Sequence, residues 1–196
     1  MNTKEMSLVG LARENENIDI WLGDENLRPV LTNTDVQLAY ELAVCAHAGT
    51  VRKTGEPYIN HPLRTAKRVE SYGAEYQIVA LLHDVVEDTD FTLDDLSKFF
   101  NSRVIRALDS VTHRADESYS DFIIRCVTGG NLPMVVKIAD TLDNSSPEQL
   151  SIFPPAKRRS KRLKYRIART TLIASVKRSE QLREALRAEL ILKGEL

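Results

Sequence analysis

The stretch Ala80-Leu81-Leu82-His83-Asp84-Val85-Val86-Glu87-Asp88 decides how this chain is read. On a helical wheel with His83 at zero, Asp84, Glu87 and Asp88 fall at roughly 100°, 40° and 140°. Ile78, Val79, Leu81, Leu82, Val85 and Val86 sweep roughly 160° to 320° on the same wheel. A helix over Glu75 to Asp88 would therefore bury one apolar face and gather an imidazole and three carboxylates opposite it. Like charges three or four residues apart repel unless a cation stands between them, so the cluster is costly as a purely structural feature.

The same arithmetic applies to Val135 to Asn144. With Asp140 at zero, Asn144 lies at roughly 40°, and Val135, Val136, Ile138, Ala139 and Leu142 again sweep about 160° to 320°. Two such helices side by side would supply one polar pocket in an apolar bundle, which is where bundle metal sites are built. His61, in Tyr58-Ile59-Asn60-His61-Pro62, stands just before a helix. His61, His83, Asp84 and Asp140 together form a mixed nitrogen and oxygen set suited to Mn²⁺, Fe²⁺ or Zn²⁺ with positions left for water or substrate. Glu87 and Asp88 are then left over as proton-handling groups beside it. Taken singly, a His-Asp pair arises by chance and a histidine before proline more often hydrogen-bonds a loop. Taken together, they favour a metal site.

Working outward, the pattern is helical throughout, with segments at Asp35 to Ala48, Pro62 to Tyr72, Glu75 to Asp88, Leu93 to Phe100, Arg103 to His113, Ser118 to Val127 and Leu132 to Asn144. Two more cover Lys157 to Val176 and Ser179 to Leu192, and no set of strands competes. Thr92 with Asp95 reads as a capping arrangement, Pro62 suits a first helical turn, and Gly73, Gly129 and Gly130 fall where helices should end. Residues 1–33 are polar and weakly periodic, with a short helix expected near Ser7 to Asn15 and Trp21 pinning the segment to the bundle. Residues 34–196 are read as one domain.

The 196 residues are 42% hydrophobic and 28% charged with a net charge of −1, a globular composition that by itself points to neither a nucleic-acid nor a membrane partner. Charge is unevenly placed. Asp84, Glu87, Asp88, Asp90, Asp94 and Asp95 form a run without a basic residue, and Lys157 to Arg169 is rich in Lys and Arg without an acid. Either run can be a solvated face; one could also hold a cation and the other an anion. Cys45 and Cys126 lack metal or redox spacing and read as core thiols of a reducing compartment. The N-terminus carries no sustained apolar region, so a cytoplasmic location is expected. Nothing in the sequence sets an oligomeric state.

The strings Arg52-Lys53-Thr54-Gly55-Glu56-Pro57-Tyr58-Ile59-Asn60-His61-Pro62, Ala80 to Thr89 and Val136-Lys137-Ile138-Ala139-Asp140 resemble, in order and spacing, the hydrolase domain of the RelA/SpoT family. The resemblance implies an all-α HD-type bundle that binds Mn²⁺ and removes the 3′-pyrophosphate of ppGpp or pppGpp to leave GDP or GTP. It implies metal ligation by His61, His83, Asp84 and Asp140, activation of water by Glu87 and Asp88, a hold on ribose and phosphates by Asn144, and a purine wall of Arg52, Lys53 and Thr54. Lys161 with Tyr165 resembles a phosphate-contacting pair in small hydrolases of the group. Lys157, Arg158, Arg159, Arg162, Arg166 and Arg169 are read mostly as solvated surface, a steering field for anions or a contact to an acidic neighbour. His47 and His113 read as surface or supporting residues, and Tyr72 and Tyr119 as packing. After Asp140 the chain has Thr-Leu-Asp-Asn-Ser-Ser where long members commonly carry Arg-Leu-His-Asn, which alters the floor beneath the base. The adenosine counterparts ppApp and pppApp, a phosphorylated nucleotide such as NADPH, and an inactive nucleotide-binding module are the alternatives.

Overall fold

The computed structural model describes residues 24–27 and 33–176, together with Arg187 and Ile191. The expected helix near Ser7, the Trp21 anchor and almost all of the last expected helix lie outside the described residues. Within them the chain is helical, and the only extended pairing is an isolated bridge between Val51 and Pro57. The helices are α1 (Thr34–Ala46), α2 (Asn60–Arg68), α3 (Ala74–Leu82), α4 (Val85–Asp88), α5 (Leu93–Leu96), α6 (Ser102–Val111), α7 (Tyr119–Thr128), α8 (Asn131–Asn144), α9 (Pro147–Ser151) and α10 (Pro155–Ser175). No helix among them is long and apolar enough to cross a membrane.

Local sequence explains where the helices begin. Asn33, Asn101 and Ser118 accept hydrogen bonds from the first free N–H groups of α1, α6 and α7, and Thr92 and Asp95 form a reciprocal capping box at α5. Gly130, at φ 95°, makes the tight turn between α7 and α8 that a side chain would strain. Helix α2 starts at Asn60, two residues earlier than expected, so His61 lies inside its first turn and not ahead of it. Pro62 fits there because first-turn N–H groups have no partner within the helix. The helix ends at Arg68, with a 3₁₀ turn at Glu70–Tyr72.

Two expectations are corrected by the packing. The Glu75 to Asp88 helix is interrupted by a turn at His83 and Asp84, so α4 is a separate short helix and the wheel drawn through Asp88 describes two pieces. Helix α8 is not amphipathic in place. Every residue from Leu132 to Asp143 is buried, because α2, α3, α6, α7 and α10 all pack around it. Helix α9 was not expected from the sequence.

Leu63, Leu81, Leu82, Leu108 and Leu172 are fully buried in one continuous core around α8. Each such leucine contributes about 1.5–3 kcal/mol relative to exposure. An exposed pair such as Lys98 and Asp95 contributes at most about 1 kcal/mol, so the leucine layers and not the surface charges hold the bundle. Of the two thiols, Cys126 is buried and Cys45 only half-buried, which corrects the reading of both as core. Tyr72 packs as expected, its ring 5.5 Å from that of Tyr76.

Candidate active site

Three helices bring the polar groups to one point. His61 comes from the first turn of α2, His83 and Asp84 from the turn between α3 and α4, and Asp140 from the middle of α8. His61, His83 and Asp140 each offer an atom within 4.8 Å of the others. The two Nε2 atoms are 3.2 Å apart, and His61 Nε2 is 3.2 Å from Asp140 Oδ1 and 3.4 Å from Asp84 Oδ2. His83 Nε2 is 3.2 Å from Asp84 Oδ1 and 3.6 Å from Asp140 Oδ1. The four sequence-derived ligand candidates thus converge.

The partners of the two Nδ1 atoms orient both rings. His83 Nδ1 lies 2.8 Å from the carbonyl oxygen of Ala80, which can only accept, so Nδ1 carries the proton. His61 Nδ1 lies 2.7 Å from Asp143 Oδ2 and donates to that carboxylate. In neutral rings both Nε2 atoms are then bare lone pairs, facing each other and two carboxylates. Such an arrangement demands a cation. Burial opposes charge on His61, yet the hydrogen bonds to Asp140, Asp143 and Asp84 outweigh it and raise its pKa well above the ordinary range. The donor set fits a divalent ion held by two nitrogens and carboxylate oxygens.

A second layer fixes this cluster. Asp143, 1% exposed, accepts from Arg52 Nη1 at 2.8 Å and from Arg64 Nε at 2.5 Å as well as from His61. Arg64 also makes a two-pronged pair with Glu56 at 2.8 Å. Asn144 accepts from Arg52 Nη2 at 2.6 Å and donates to Asp140 Oδ1 at 2.5 Å, and Lys137 Nζ stands 2.8 Å from Asp140 Oδ2. Thr141 and Ser145 are buried behind Asp140, where Arg169 reaches the Thr141 carbonyl and Ser145 Oγ at 3.1 and 2.8 Å. Thr141 and Ser145 thus stand behind the cluster and Asp143 joins His61 to Arg52, and none of the altered positions Thr141, Asp143, Ser145 and Ser146 lines either cleft.

Two adjoining clefts lie beside the cluster, and only the second is lined by its residues. One, of about 430 Å³, is lined by Arg52, Lys53, His47, Asn144, Lys161 and Tyr165, among others. The other, of about 310 Å³, is lined by His61, Asp84, Asp140, Glu87 and Asp88 and reaches Tyr119, Lys137 and Lys164. Tyr58, Asp88, Asn144 and Tyr165 line both. Thr54 lines neither, and its Oγ1 is buried without a hydrogen-bond partner among the described residues. Glu87 accepts the backbone N–H of His113 at 2.9 Å, and burial raises its pKa. Tyr58 Oη lies 2.7 Å from Asp84 Oδ2 and 2.6 Å from Asp88 Oδ2, so its one proton serves either carboxylate but not both.

Sequence reasoning passed over several of these groups. Tyr58 stands three residues before His61, Lys137 three before Asp140 and Asp143 three after it; that one-turn spacing was the available signal. Tyr119 lines the second cleft and is more than packing. His47 is buried, stacks on Tyr58 at 4.5 Å, and is held to a pKa of about 4 by burial, so it is a neutral ring at pH 7. In the basic run Arg169 is 1% exposed and Arg158 bonds the carbonyls of Ser151 and Phe153, so neither is simply solvated.

Residues 39–120 match the HD domain family. The guanosine-3′,5′-bis(diphosphate) 3′-pyrophosphohydrolase of Aquifex aeolicus (strain VF5) is 33% identical over 151 residues, which are 69% of this chain and 21% of that protein. The bifunctional (p)ppGpp synthase/hydrolase SpoT of Escherichia coli (strain K12) is 33% identical over 147 residues, 68% of this chain and 20% of that protein. A probable GTP pyrophosphokinase of Mycobacterium leprae (strain TN) is 35% identical over 136 residues, 64% of this chain and 17% of that protein. The chain spans about a fifth of the length of these curated relatives. A solved structure described as a metazoan ortholog of SpoT that hydrolyzes ppGpp shares the fold, with a TM-score of 0.65 at 22% identity over 86% of this chain and 100% of that one. This chain's sequence relatives are the RelA/SpoT-type proteins that the motifs resemble.

Proposed function

We propose that this protein is a metal-dependent (p)ppGpp 3′-pyrophosphohydrolase that releases pyrophosphate and leaves GDP or GTP. The observation that carries the reading is the meeting of the Nε2 atoms of His61 and His83 with the carboxylates of Asp84 and Asp140 at one point. His61, His83, Asp84 and Asp140 would hold one divalent ion, with Mn²⁺ the expected metal. Bound there, the ion would polarise the phosphoryl group and lower the pKa of water. The names of the relatives support a guanosine 3′-pyrophosphate over the adenosine or NADPH alternatives.

The residues divide the rest of the work by position. Glu87, with its raised pKa, and Asp88, hydrogen-bonded by Tyr58, face the second cleft and would take the proton of the attacking water. When Asp84 is committed to a metal, the Tyr58 proton is left for Asp88 and fixes its orientation. Arg52 has two nitrogens committed to Asp143 and Asn144, so it offers a purine its flat face, with Lys53 beside it. Thr54 follows them in the loop and is the least direct member of this wall. Asn144, which bonds both Arg52 and Asp140, would align the ribose and phosphates. Lys161 and Tyr165 close the first cleft where phosphates would pass. We place this activity in residues 34–196, acting on a small nucleotide in the cytoplasm.

Metal analysis of the purified protein beside His83→Ala and Asp140→Ala is the test. Near-stoichiometric manganese after loading and its loss in both variants is the expected result; equal content in all three would overturn the assignment.

A further inference from the structure

We propose that Lys164 and Tyr119 form a subsite for a second phosphoryl group, the one beyond the phosphorus presented to the metal cluster. The inference rests on the pyrophosphohydrolase reading and sharpens it, because it assigns the feature that distinguishes a pyrophosphate ester from a monophosphate ester.

The contacts lead stepwise away from the ligand cluster. Lys137 Nζ joins Asp140 at 2.8 Å and lies 4.5 Å from the Phe122 ring centre. The Phe122 ring is 6.2 Å from that of Tyr119, over which Lys164 Nζ stands at 3.6 Å. All four side chains line the cleft that holds His61, Asp84 and Asp140, whereas Arg52, Lys53 and His47 line only the other. A nucleoside against the Arg52 wall, with its 3′ substituent at the ligand cluster, therefore points its outer end at Lys164 and Tyr119.

Both groups lack what an anion would supply. Tyr119 Oη is buried and has no hydrogen-bond partner among the described residues. Lys164 has no carboxylate at ion-pair distance among them, Asp140 being taken by Lys137. A phosphoryl oxygen would accept from both.

The subsite would also set which bond breaks. With the outer phosphoryl group held there, the water oxygen bonds to the inner phosphorus and the bond from that phosphorus to the 3′-oxygen breaks. The 3′-oxygen leaves with the electron pair and takes a proton, and the pyrophosphate departs intact. Without the subsite, the outer phosphorus could occupy the reacting position and orthophosphate would be released.

Calorimetric titration of the Mn²⁺-loaded protein with inorganic pyrophosphate and with orthophosphate, at fixed free Mn²⁺, tests this. The protein should bind pyrophosphate about tenfold or more tightly than orthophosphate, the scale of a charge-assisted contact. Lys164→Gln and Tyr119→Phe should each lower that ratio at least about threefold, with orthophosphate affinity kept. Tyr119→Phe keeps the ring and removes one oxygen, and Lys164 is exposed, so both should fold. Equal affinity for the two anions, a ratio unchanged in either variant, or a parallel loss of both anions would overturn the proposal. Inorganic anions report on the subsite whether or not ppGpp is turned over. A retained ratio with intact ppGpp would thus remove the proposed function and leave the subsite standing.

Discussion

Asp143 Oδ2 lies 2.7 Å from His61 Nδ1, on the side of the ring away from the Nε2 that meets Asp84 and Asp140. That contact fixes the proton on Nδ1 and turns the lone pair of Nε2 toward the carboxylates. Outer partners of this kind are worth about 10–100-fold in metal affinity. Asp143→Asn should therefore weaken Mn²⁺ binding by about that factor in a calorimetric titration, with the secondary structure unchanged by circular dichroism. Unaltered affinity would mean that Asp143 serves only the Arg52 and Arg64 pairs.

The same carboxyl sets a pH dependence. Burial pushes the Asp143 pKa up, but hydrogen bonds from His61 and Arg64 outweigh it and hold it well below the usual carboxylate range. A group whose folded pKa is depressed contributes stability in full above its unfolded value, near about 3.9, and loses it as pH falls toward the folded value. The metal-free protein should lose stability below about pH 4 less steeply as Asp143→Asn than as wild type, measured by urea midpoints. Identical slopes would contradict the shift.

Ligands and proton carriers should separate. Glu87→Gln and Asp88→Asn keep side-chain size, and neither residue is among the four proposed ligands His61, His83, Asp84 and Asp140. Each should retain bound manganese and lower kcat by about 10²-fold, the usual scale for loss of general acid–base catalysis. If metal and activity are lost together, both residues are ligands.

Gly129 is a packing constraint. A Cβ there would fall 2.9 Å from Pro133 Cγ and closer still to the Ser110 side chain, and neither the proline ring nor the buried Ser110 can swing away cheaply. Gly129→Ala should destabilise the fold by about 1–3 kcal/mol through overpacking. A thermal midpoint equal to that of wild type would show that α6 and α8 yield there.

Arg169, buried against the Thr141 carbonyl and Ser145 Oγ, ties α10 to α8. Arg169→Ala should cost about 2–4 kcal/mol, from unpaired polar groups and a cavity together. Chemical denaturation is the measurement, and a change below about 0.5 kcal/mol, the level of an ordinary surface substitution, would contradict the buried role.

The periodicity of 80–88 and 135–144 made the helical segments and the candidates His83, Asp84 and Asp140 legible, and His61 was singled out by its place before Pro62. The break at His83 and Asp84 was hidden, since the residues on either side keep the apolar period and His83 itself keeps helical φ and ψ. The roles of Asp143, Tyr58 and Lys137 depend on contacts between separate helices and loops, which a wheel for one helix does not contain. Arg169 was misread for the same reason. A basic run looks solvated until α10 is laid on α8 and a guanidinium meets a carbonyl. The resemblance tied the altered residues after Asp140 to the base site, and in place Asp143 reaches it only through Arg52 while Thr141 and Ser145 meet Arg169.

The most direct test of the account is a Mn²⁺-supplemented assay of the purified protein with ppGpp that scores pyrophosphate against orthophosphate. Pyrophosphate and GDP in equal amounts, at kcat/KM of about 10⁴ M⁻¹s⁻¹ or better and abolished by a chelator, is the predicted result. Orthophosphate as the only phosphorus product beside the nucleotide, or no turnover with the metal bound, would contradict it.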